Sequence, residues 1–147
     1  MNIKKTILSL ALIFVASLNV AAQSQTEQGK DLDSLYAQNL LKTGTVAPEF
    51  SLPMPNRKIF SLTDHKGKYI LLDFWASWCP DCRKDIPKVK EMYERYGKKV
   101  VFVGVSFDTD HNRWSNCIAN NQMTWLHVSE LKRMREAEIS KTYGVQW

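Results

Sequence analysis

Cysteine, glycine and proline are all scarce in this chain of 147 residues, which has three cysteines, six glycines and five prolines. Three cysteines are too few for a small fold held together by several disulfides. The low glycine and proline content argues against a disordered or collagen-like chain. Hydrophobic residues at 44% and charged residues at 24% are ordinary for a globular protein, so the sequence predicts one packed domain.

An excess of charge of one sign is also missing. The chain has 20 Lys and Arg residues against 15 Asp and Glu residues, a net charge of +5. The basic residues lie among acidic ones along the chain rather than in a patch. We therefore predict no nucleic-acid partner and no charge-driven binding to an acidic membrane surface.

The one long, almost uninterrupted apolar run lies at the N-terminus. Lys4 and Lys5 precede the run Thr6–Val20, and two alanines follow it. This order predicts that residues 1–22 are a signal peptide, cleaved after Ala22, and that the protein is exported and periplasmic. The run is about 15 residues long, whereas a membrane-spanning helix needs about 20. An uncleaved membrane anchor is the alternative.

The rest of the chain divides into a lead-in and a domain. Residues 23–43 form a polar lead-in with a short predicted helix, Asp31–Lys42, and residues 44–147 form the domain. Apolar runs alternate with helical periods along the domain, which predicts an α/β fold with parallel neighbouring strands. In chain order, the predicted elements are a hairpin of Phe50–Leu52 and Lys58–Leu62, a strand buried on both faces at Tyr69–Trp75, a helix from Pro80 to Gly97 with Pro87 inside it, a second buried strand at Val100–Phe107, a helix at Arg113–Asn121, an extended segment at Trp125–Val128 and a helix at Arg133–Tyr143.

Two of the three cysteines, Cys79 and Cys82, lie where the first buried strand turns into a helix. Cysteines at this spacing can close a disulfide with little backbone movement. The first sulfur faces the free N–H groups and the positive end of the helix dipole, which stabilise a thiolate. A thiolate is the species that attacks a disulfide. We therefore predict that Cys79 attacks a substrate disulfide and that Cys82 resolves the mixed disulfide.

The residues around this pair affect its charge and its geometry. Pro80 suits the first helical turn, where its missing N–H costs nothing. Asp81 adds negative charge that opposes ionisation of Cys79, whereas Arg83 and Lys84 favour it. These charges therefore act against one another at the motif.

A structural disulfide and a zinc site are the simpler interpretations of the pair. A four-ligand zinc site needs two more ligands, and only Cys117 and three scattered histidines are available. We therefore predict no metal and no cofactor. A disulfide that closes so small a loop adds little stability, which favours a redox role, and Cys117 is predicted to be a free bystander thiol.

Together these residues resemble the TlpA/ResA-type extracytoplasmic thioredoxins, from about Gly44 to Trp147. The resemblance implies an α/β, thioredoxin-like fold and a thiol-disulfide oxidoreductase that exchanges disulfides with exported proteins. It also implies a redox donor protein, which can be membrane-bound, and a part in cell redox homeostasis and cytochrome c maturation. The matching segments are Gly44–Leu52, Lys66–Lys68, Leu71–Arg83, Asp85–Pro87 and Tyr143–Val145.

The resemblance also assigns roles to individual residues. Cys79 corresponds to the attacking cysteine, Cys82 to the buried one, and Trp78 to the aromatic residue that flanks the motif. Asp73 corresponds to the buried acid that takes the proton from the resolving cysteine; alternatively, it is a strand-end residue satisfied by local hydrogen bonds. Asp85 corresponds to an acidic residue, usually Glu, near the active site; alternatively, it only favours the N-terminal half of the helix.

The chain departs from the family pattern at its C-terminus. Members of the family continue after a Tyr-Gly-Val segment into a cis-proline loop, two more strands and a final helix, whereas this chain ends at Trp147. We therefore expect a thioredoxin-like fold that is incomplete at the C-terminus. One edge of the strand that carries Asp73 is then expected to be exposed.

Two other functions compete with disulfide exchange. A peroxiredoxin-like peroxidase needs a lone peroxidatic cysteine preceded by Pro and Thr, whereas Ala76, Ser77 and Trp78 precede Cys79. A non-catalytic binding or assembly module would keep the fold as a scaffold and would not need the reactivity of Cys79.

Overall fold

The structure of the protein, a computed structural model, describes Ser34 and residues 37–146. The predicted signal peptide, residues 1–22, and five of the twelve residues of the predicted helix Asp31–Lys42 lie outside the described residues. The described residues 38–42 form turns and irregular backbone rather than helix. Leu41–Gln146 folds as one compact unit. No helix in the described part of the chain is long and apolar enough to cross a membrane.

The domain begins with a two-stranded antiparallel hairpin, as predicted. Strand β1 is Ser51–Pro53 and strand β2 is Ile59–Ser61, with Leu52 opposite Phe60. A short 3-10 helix, Leu62–His65, follows directly. The side chains of Leu52 and Phe60 are both buried, so this small sheet contributes one of its faces to the core.

Three parallel strands form the main sheet. Strand β3 is Tyr69–Trp75, β4 is Val100–Ser106 and β5 is Leu126–Ser129, in the order β3-β4-β5. Parallel neighbours need crossover connections, and helices supply them. Helix α1, Pro80–Tyr96, joins β3 to β4, helix α2, His111–Asn120, joins β4 to β5, and helix α3, Glu138–Tyr143, follows β5. The predicted β-α-β unit is confirmed.

Strand β3 lies at an edge of the sheet. It pairs with β4 on one side, and no strand among the described residues pairs with its other side. Ile70–Phe74 is therefore only half-buried, and Tyr69 is exposed. The prediction that β3 is fully buried on both faces is therefore wrong. The same prediction is correct for most of the central strand β4, which is buried from Phe102 to Ser106. The exposed strand edge expected from the sequence is present.

The main sheet has a separate apolar cluster on each face. On one face, Trp75 and Phe102 pack against Ile86 of α1 and Trp114 of α2. The other face packs against the hairpin and α3 through a second cluster that includes Val103, Val105, Phe60, Ile139 and Tyr143. Burial of each such side chain contributes about 1.5–3 kcal/mol relative to exposure. The packing of Ile86 against Trp75 and Phe102 therefore fixes α1, which begins at the cysteine pair, to one face of the main sheet.

Two of the predicted helix boundaries need correction. Helix α2 starts at His111 rather than Arg113, because the carboxylate of Asp110 accepts the N–H groups of Asn112 and Arg113 at 2.8 and 2.9 Å. Such capping satisfies amides that have no partner inside the helix.

The last helix is shorter than predicted. It starts at Glu138 rather than Arg133, because Ala137 has an extended backbone and Glu130 accepts the N–H of Ile139 at 2.9 Å. Residues 134–136 form a separate turn. The apolar period that predicted one helix therefore comes from a turn and a helix that bury Met134 and Ile139 in the same cluster.

Gly104 allows a close approach at the centre of the sheet. A Cβ atom at this position would lie 2.6 Å from Nδ1 of His127 and 2.9 Å from Nε1 of Trp75. The buried imidazole of His127 also contacts the indole ring of Trp125. Because Trp75 is the last residue of β3, these contacts hold the C-terminal end of β3 against β4 and β5, immediately before the turn that leads to Cys79.

Candidate active site

A disulfide joins Cys79 and Cys82, and their Cα atoms are 5.4 Å apart. The pair lies just after β3: Cys79 ends the turn that leads into α1, and Cys82 lies in the first turn of α1. The N–H of Phe107 donates to the carbonyl of Trp75 at 3.0 Å, and the N–H of Cys79 donates to the carbonyl of Ala76 at 3.1 Å. The two cysteines predicted from the sequence are thus brought together at the carboxyl end of a strand.

The sulfur of Cys79 lies at the N-terminus of α1. Cys79 is the N-cap residue, Pro80 is the first helical residue, and Sγ of Cys79 accepts the N–H of Cys82 at 3.2 Å. The helix has 17 residues, so its aligned peptide dipoles give a positive potential at this end. Backbone amides and dipole together favour negative charge on Cys79 once the disulfide is reduced.

Asp81 and Lys84 form an ion pair on the exposed side of the motif, with 2.8 Å between Nζ and Oδ1. The hydrogen bond from Lys84 holds the pKa of Asp81 below its ordinary value, and the same bond raises the pKa of Lys84. Both side chains are largely exposed, so the pair adds little stability. Lys84 does, however, offset the negative charge that Asp81 brings close to Cys79.

Asp73 and Asp85 are close enough for their charges to repel each other. Asp73 lies two positions from both Leu71 and Trp75 along β3, so its side chain is on the same face of the sheet as theirs. Leu71 and Trp75 belong to the cluster against which Cys82 packs. Burial raises the pKa of Asp73, and the charge of Asp85 raises it further. Asp85 itself is exposed on α1. The predicted acids therefore share the α1 side of the sheet with Cys82.

Asp108, which the sequence did not single out, is a buried acid that holds the turn before Cys79. Its carboxylate accepts the N–H of Ser77 at 2.9 Å, the hydroxyl of Ser77 at 2.5 Å and the hydroxyl of Ser106 at 2.7 Å. The signal that could have found it is its position after β4, since the carboxyl ends of parallel strands meet at one edge of a sheet.

The two other side chains singled out near the motif differ in exposure. Trp78 is 60% exposed directly beside Cys79. Cys117 is a free cysteine on α2, partly buried. Burial raises the pKa of its thiol, and the charge of Asp108 raises it further, so Cys117 is poorly suited to act as a nucleophile. Among the residues that the structure describes, no group of three or more His, Cys, Asp or Glu side chains could hold a metal ion.

Comparison with known proteins identifies the family. The family model described as thioredoxin-like matches residues 67–146. The chain belongs to the thioredoxin-like family. A thiol-disulfide oxidoreductase ResA from Oceanobacillus iheyensis is 33% identical over 105 residues, covering 68% of this chain and 50% of the relative. A thioredoxin-like protein YneN from Bacillus subtilis is 40% identical over 67 residues, 46% of this chain and 39% of the relative.

Solved structures support the same assignment. The thioredoxin domain of a thiol-disulfide oxidoreductase from Bacteroides vulgatus matches with a TM-score of 0.66 and 30% identity, over 73% of this chain and 76% of that domain. The predicted thioredoxin-like fold and the resemblance to ResA-type proteins are therefore confirmed. The chain spans about half the length of the curated relatives it matches.

Proposed function

We propose that this chain is a thiol-disulfide oxidoreductase that exchanges disulfides with exported proteins through Cys79 and Cys82. The observation that carries the proposal is the position of Cys79 Sγ, which caps α1 and accepts the N–H of Cys82 at 3.2 Å. A thiolate at a helix N-terminus is stabilised without losing its access to a substrate. The relatives named as thiol-disulfide oxidoreductases support the same chemistry.

The proposed exchange has two steps, and its electrons balance. In the reduced protein, the Cys79 thiolate attacks one sulfur of a substrate disulfide, forms a mixed disulfide and releases the other substrate sulfur as a thiolate. The Cys82 thiolate then attacks Cys79 Sγ and releases the second substrate thiolate. The substrate gains two electrons and the protein is left with the Cys79–Cys82 disulfide, which is the form seen in the structure. A dithiol protein donor must reduce this disulfide again.

Asp73 is proposed as the group that accepts the proton from Cys82. Cys82 must lose this proton before it attacks, and a carboxyl group whose pKa is raised by burial and by Asp85 is suited to accept a proton and later release it. Asp85 would then act through Asp73, as a second charge that makes proton uptake by Asp73 easier.

The proposed setting is outside the cytosol. The predicted signal peptide over residues 1–22 supports export, and protein disulfides persist in oxidising compartments. The proposed partners are disulfide-containing proteins and a redox donor protein, which can lie in the membrane. The likeness to ResA extends this proposal to cytochrome c maturation as the process that the exchange serves.

Two cysteine variants test the proposal. The reduced protein should reduce insulin disulfides, and Cys79→Ser should abolish this activity. Cys82→Ser should accumulate a mixed disulfide with the substrate, because the resolving sulfur is gone. Cys117→Ser is the matched control and should retain activity.

Three outcomes would overturn the proposal. Insulin reduction that survives in Cys79→Ser would exclude Cys79 as the nucleophile. Rapid consumption of hydrogen peroxide without disulfide exchange would indicate a peroxidase. A cellular role that is intact in Cys79→Ser would indicate a non-catalytic module.

A further inference from the structure

A groove with a volume of about 480 Å³ lies beside the disulfide, between the start of α1 and helix α2. We call it the Trp78 groove. Its size is in the range of sites that bind small ligands or a few peptide side chains. The lining residues used below are Trp78, Arg83, Arg113, Asn116 and Asn120.

Two arginines give the Trp78 groove its charge. In the part of the chain that the structure describes, neither Arg83 nor Arg113 forms an ion pair. The nearby acids are already engaged: Asp81 binds Lys84 at 2.8 Å, and Asp110, whose charge also attracts Arg113 without forming an ion pair with it, accepts two amides at the start of α2. The buried Asp108 beneath the groove has its carboxylate occupied by three donors. The two guanidinium groups are thus available to an acidic ligand.

The remaining walls suit a peptide backbone. Asn116 and Asn120 are exposed on α2, and their amides make no hydrogen bond within the described ranges, so they can bond main-chain N–H and C=O groups. Trp78 is 60% exposed, and tryptophan and arginine are enriched where proteins bind other proteins.

We propose that the Trp78 groove binds the part of the substrate protein that flanks its disulfide cysteine, with a preference for an acidic side chain. The inference rests on the proposed function, because the substrate cysteine must reach Cys79. Trp78 is the residue next to Cys79, so a flanking residue about two to four positions from the substrate cysteine reaches the groove in an extended chain. The ligand is therefore an Asp or Glu residue in that window.

Three disulfide peptides test this inference with the reduced protein. They are identical except for Asp, Asn or Lys in the window beside the cysteine, and kcat/KM is measured for the reduction of each. The Asp peptide should exceed the Lys peptide by about tenfold, the size that two exposed charge pairs can supply. The ratio should shrink at about 0.5 M salt, because screening weakens exposed charge pairs.

Variants of the two arginines locate the effect. The double variant Arg83→Gln/Arg113→Gln should bring the ratio between the Asp and Lys peptides close to one. Using the ratio removes any general effect of Arg83 on the nearby cysteines. Arg95→Gln is the matched control, because Arg95 is exposed on the same helix about 18 Å further along. It should leave the ratio unchanged.

The failures of the two proposals are distinguishable. Equal kcat/KM for the three peptides, or a preference that persists in the double variant, would overturn the role of the Trp78 groove and leave the proposed function standing. If the reduced protein reduces none of the peptides and no insulin, both the inference and the proposed function are wrong.

Discussion

Replacing Asp108 with alanine removes the acceptor that ties the end of β4 to the turn before Cys79. Three donors lose their partner: the N–H of Ser77 at 2.9 Å, its hydroxyl at 2.5 Å and the hydroxyl of Ser106 at 2.7 Å. A hydrogen bond to a charged group contributes about 1.5–3 kcal/mol to the free energy of unfolding, and a buried donor left without an acceptor costs about 1–3 kcal/mol. Two effects offset part of this loss: the hydroxyls can rotate to other partners, and the variant no longer has to bury a charged carboxylate. We therefore expect the free energy of unfolding to fall by about 3 kcal/mol in total.

Ser77→Ala is the matched comparison. It deletes one donor and keeps both the Ser77 N–H bond and the Ser106 bond to Asp108, so its cost should be about 1.5 kcal/mol, the low end of the range for one bond to a charged group. Urea unfolding of the oxidised protein measures both variants, and the m-value should not change. The order of the two costs follows directly from the number of bonds lost.

A second measurement separates positioning of the turn from stability alone. Asp108→Asn keeps one acceptor oxygen and should lose less stability than Asp108→Ala. It should still change the alkylation rate of reduced Cys79, because Ser77 lies two residues before Cys79 and the turn loosens. This account of Asp108 would be refuted if Asp108→Ala lost less free energy of unfolding than Ser77→Ala. It would also be refuted if the alkylation rate of Cys79 were unchanged in a folded Asp108→Asn protein.

Two further predictions concern titratable groups. Asp73→Asn should raise thermal stability near neutral pH, because burial raises the pKa of Asp73 and the ionised form then costs folding free energy above that pKa. It should also slow resolution by Cys82 by about 100-fold in a single-turnover assay, and a lower melting temperature or an unchanged rate would contradict this. For His127, burial lowers the pKa from 6.5 to about 4, so the unfolded chain binds more protons between these values and stability falls as pH drops through that window, by about 3 kcal/mol in total. The stability difference between wild type and His127→Phe should change by this amount between pH 7 and pH 4, and a constant difference would contradict the prediction.

The elements that the sequence predicts well are those whose signal is local. The apolar run Tyr69–Trp75 is a strand, and the run Val100–Phe107 is a strand up to Ser106. The period that starts at Pro80 is a helix that ends at Tyr96, with Gly97 as its C-cap. The spacing of Cys79 and Cys82 at a strand-to-helix junction is equally local, and the structure joins them.

The features that the sequence does not predict depend on contacts between distant residues. Asp108 and Ser77 are 31 positions apart, so their hydrogen bonds exist only once β3 and β4 pair. Helix α3 begins late because Glu130 accepts the N–H of Ile139 across nine positions. The half-buried state of β3 depends on the number of strands beside it, which the apolar run itself does not contain.

The alkylation rate of reduced Cys79 as a function of pH tests the central claim most directly. The measurement uses the Cys117→Ser background, with the protein shown to be folded, and free cysteine as the reference. If the amides and the dipole of α1 stabilise the thiolate, Cys79 should react about fivefold or more faster than free cysteine at pH 6.5. Cys79 should also reach its maximum rate at a lower pH. A rate profile equal to that of free cysteine would contradict the account.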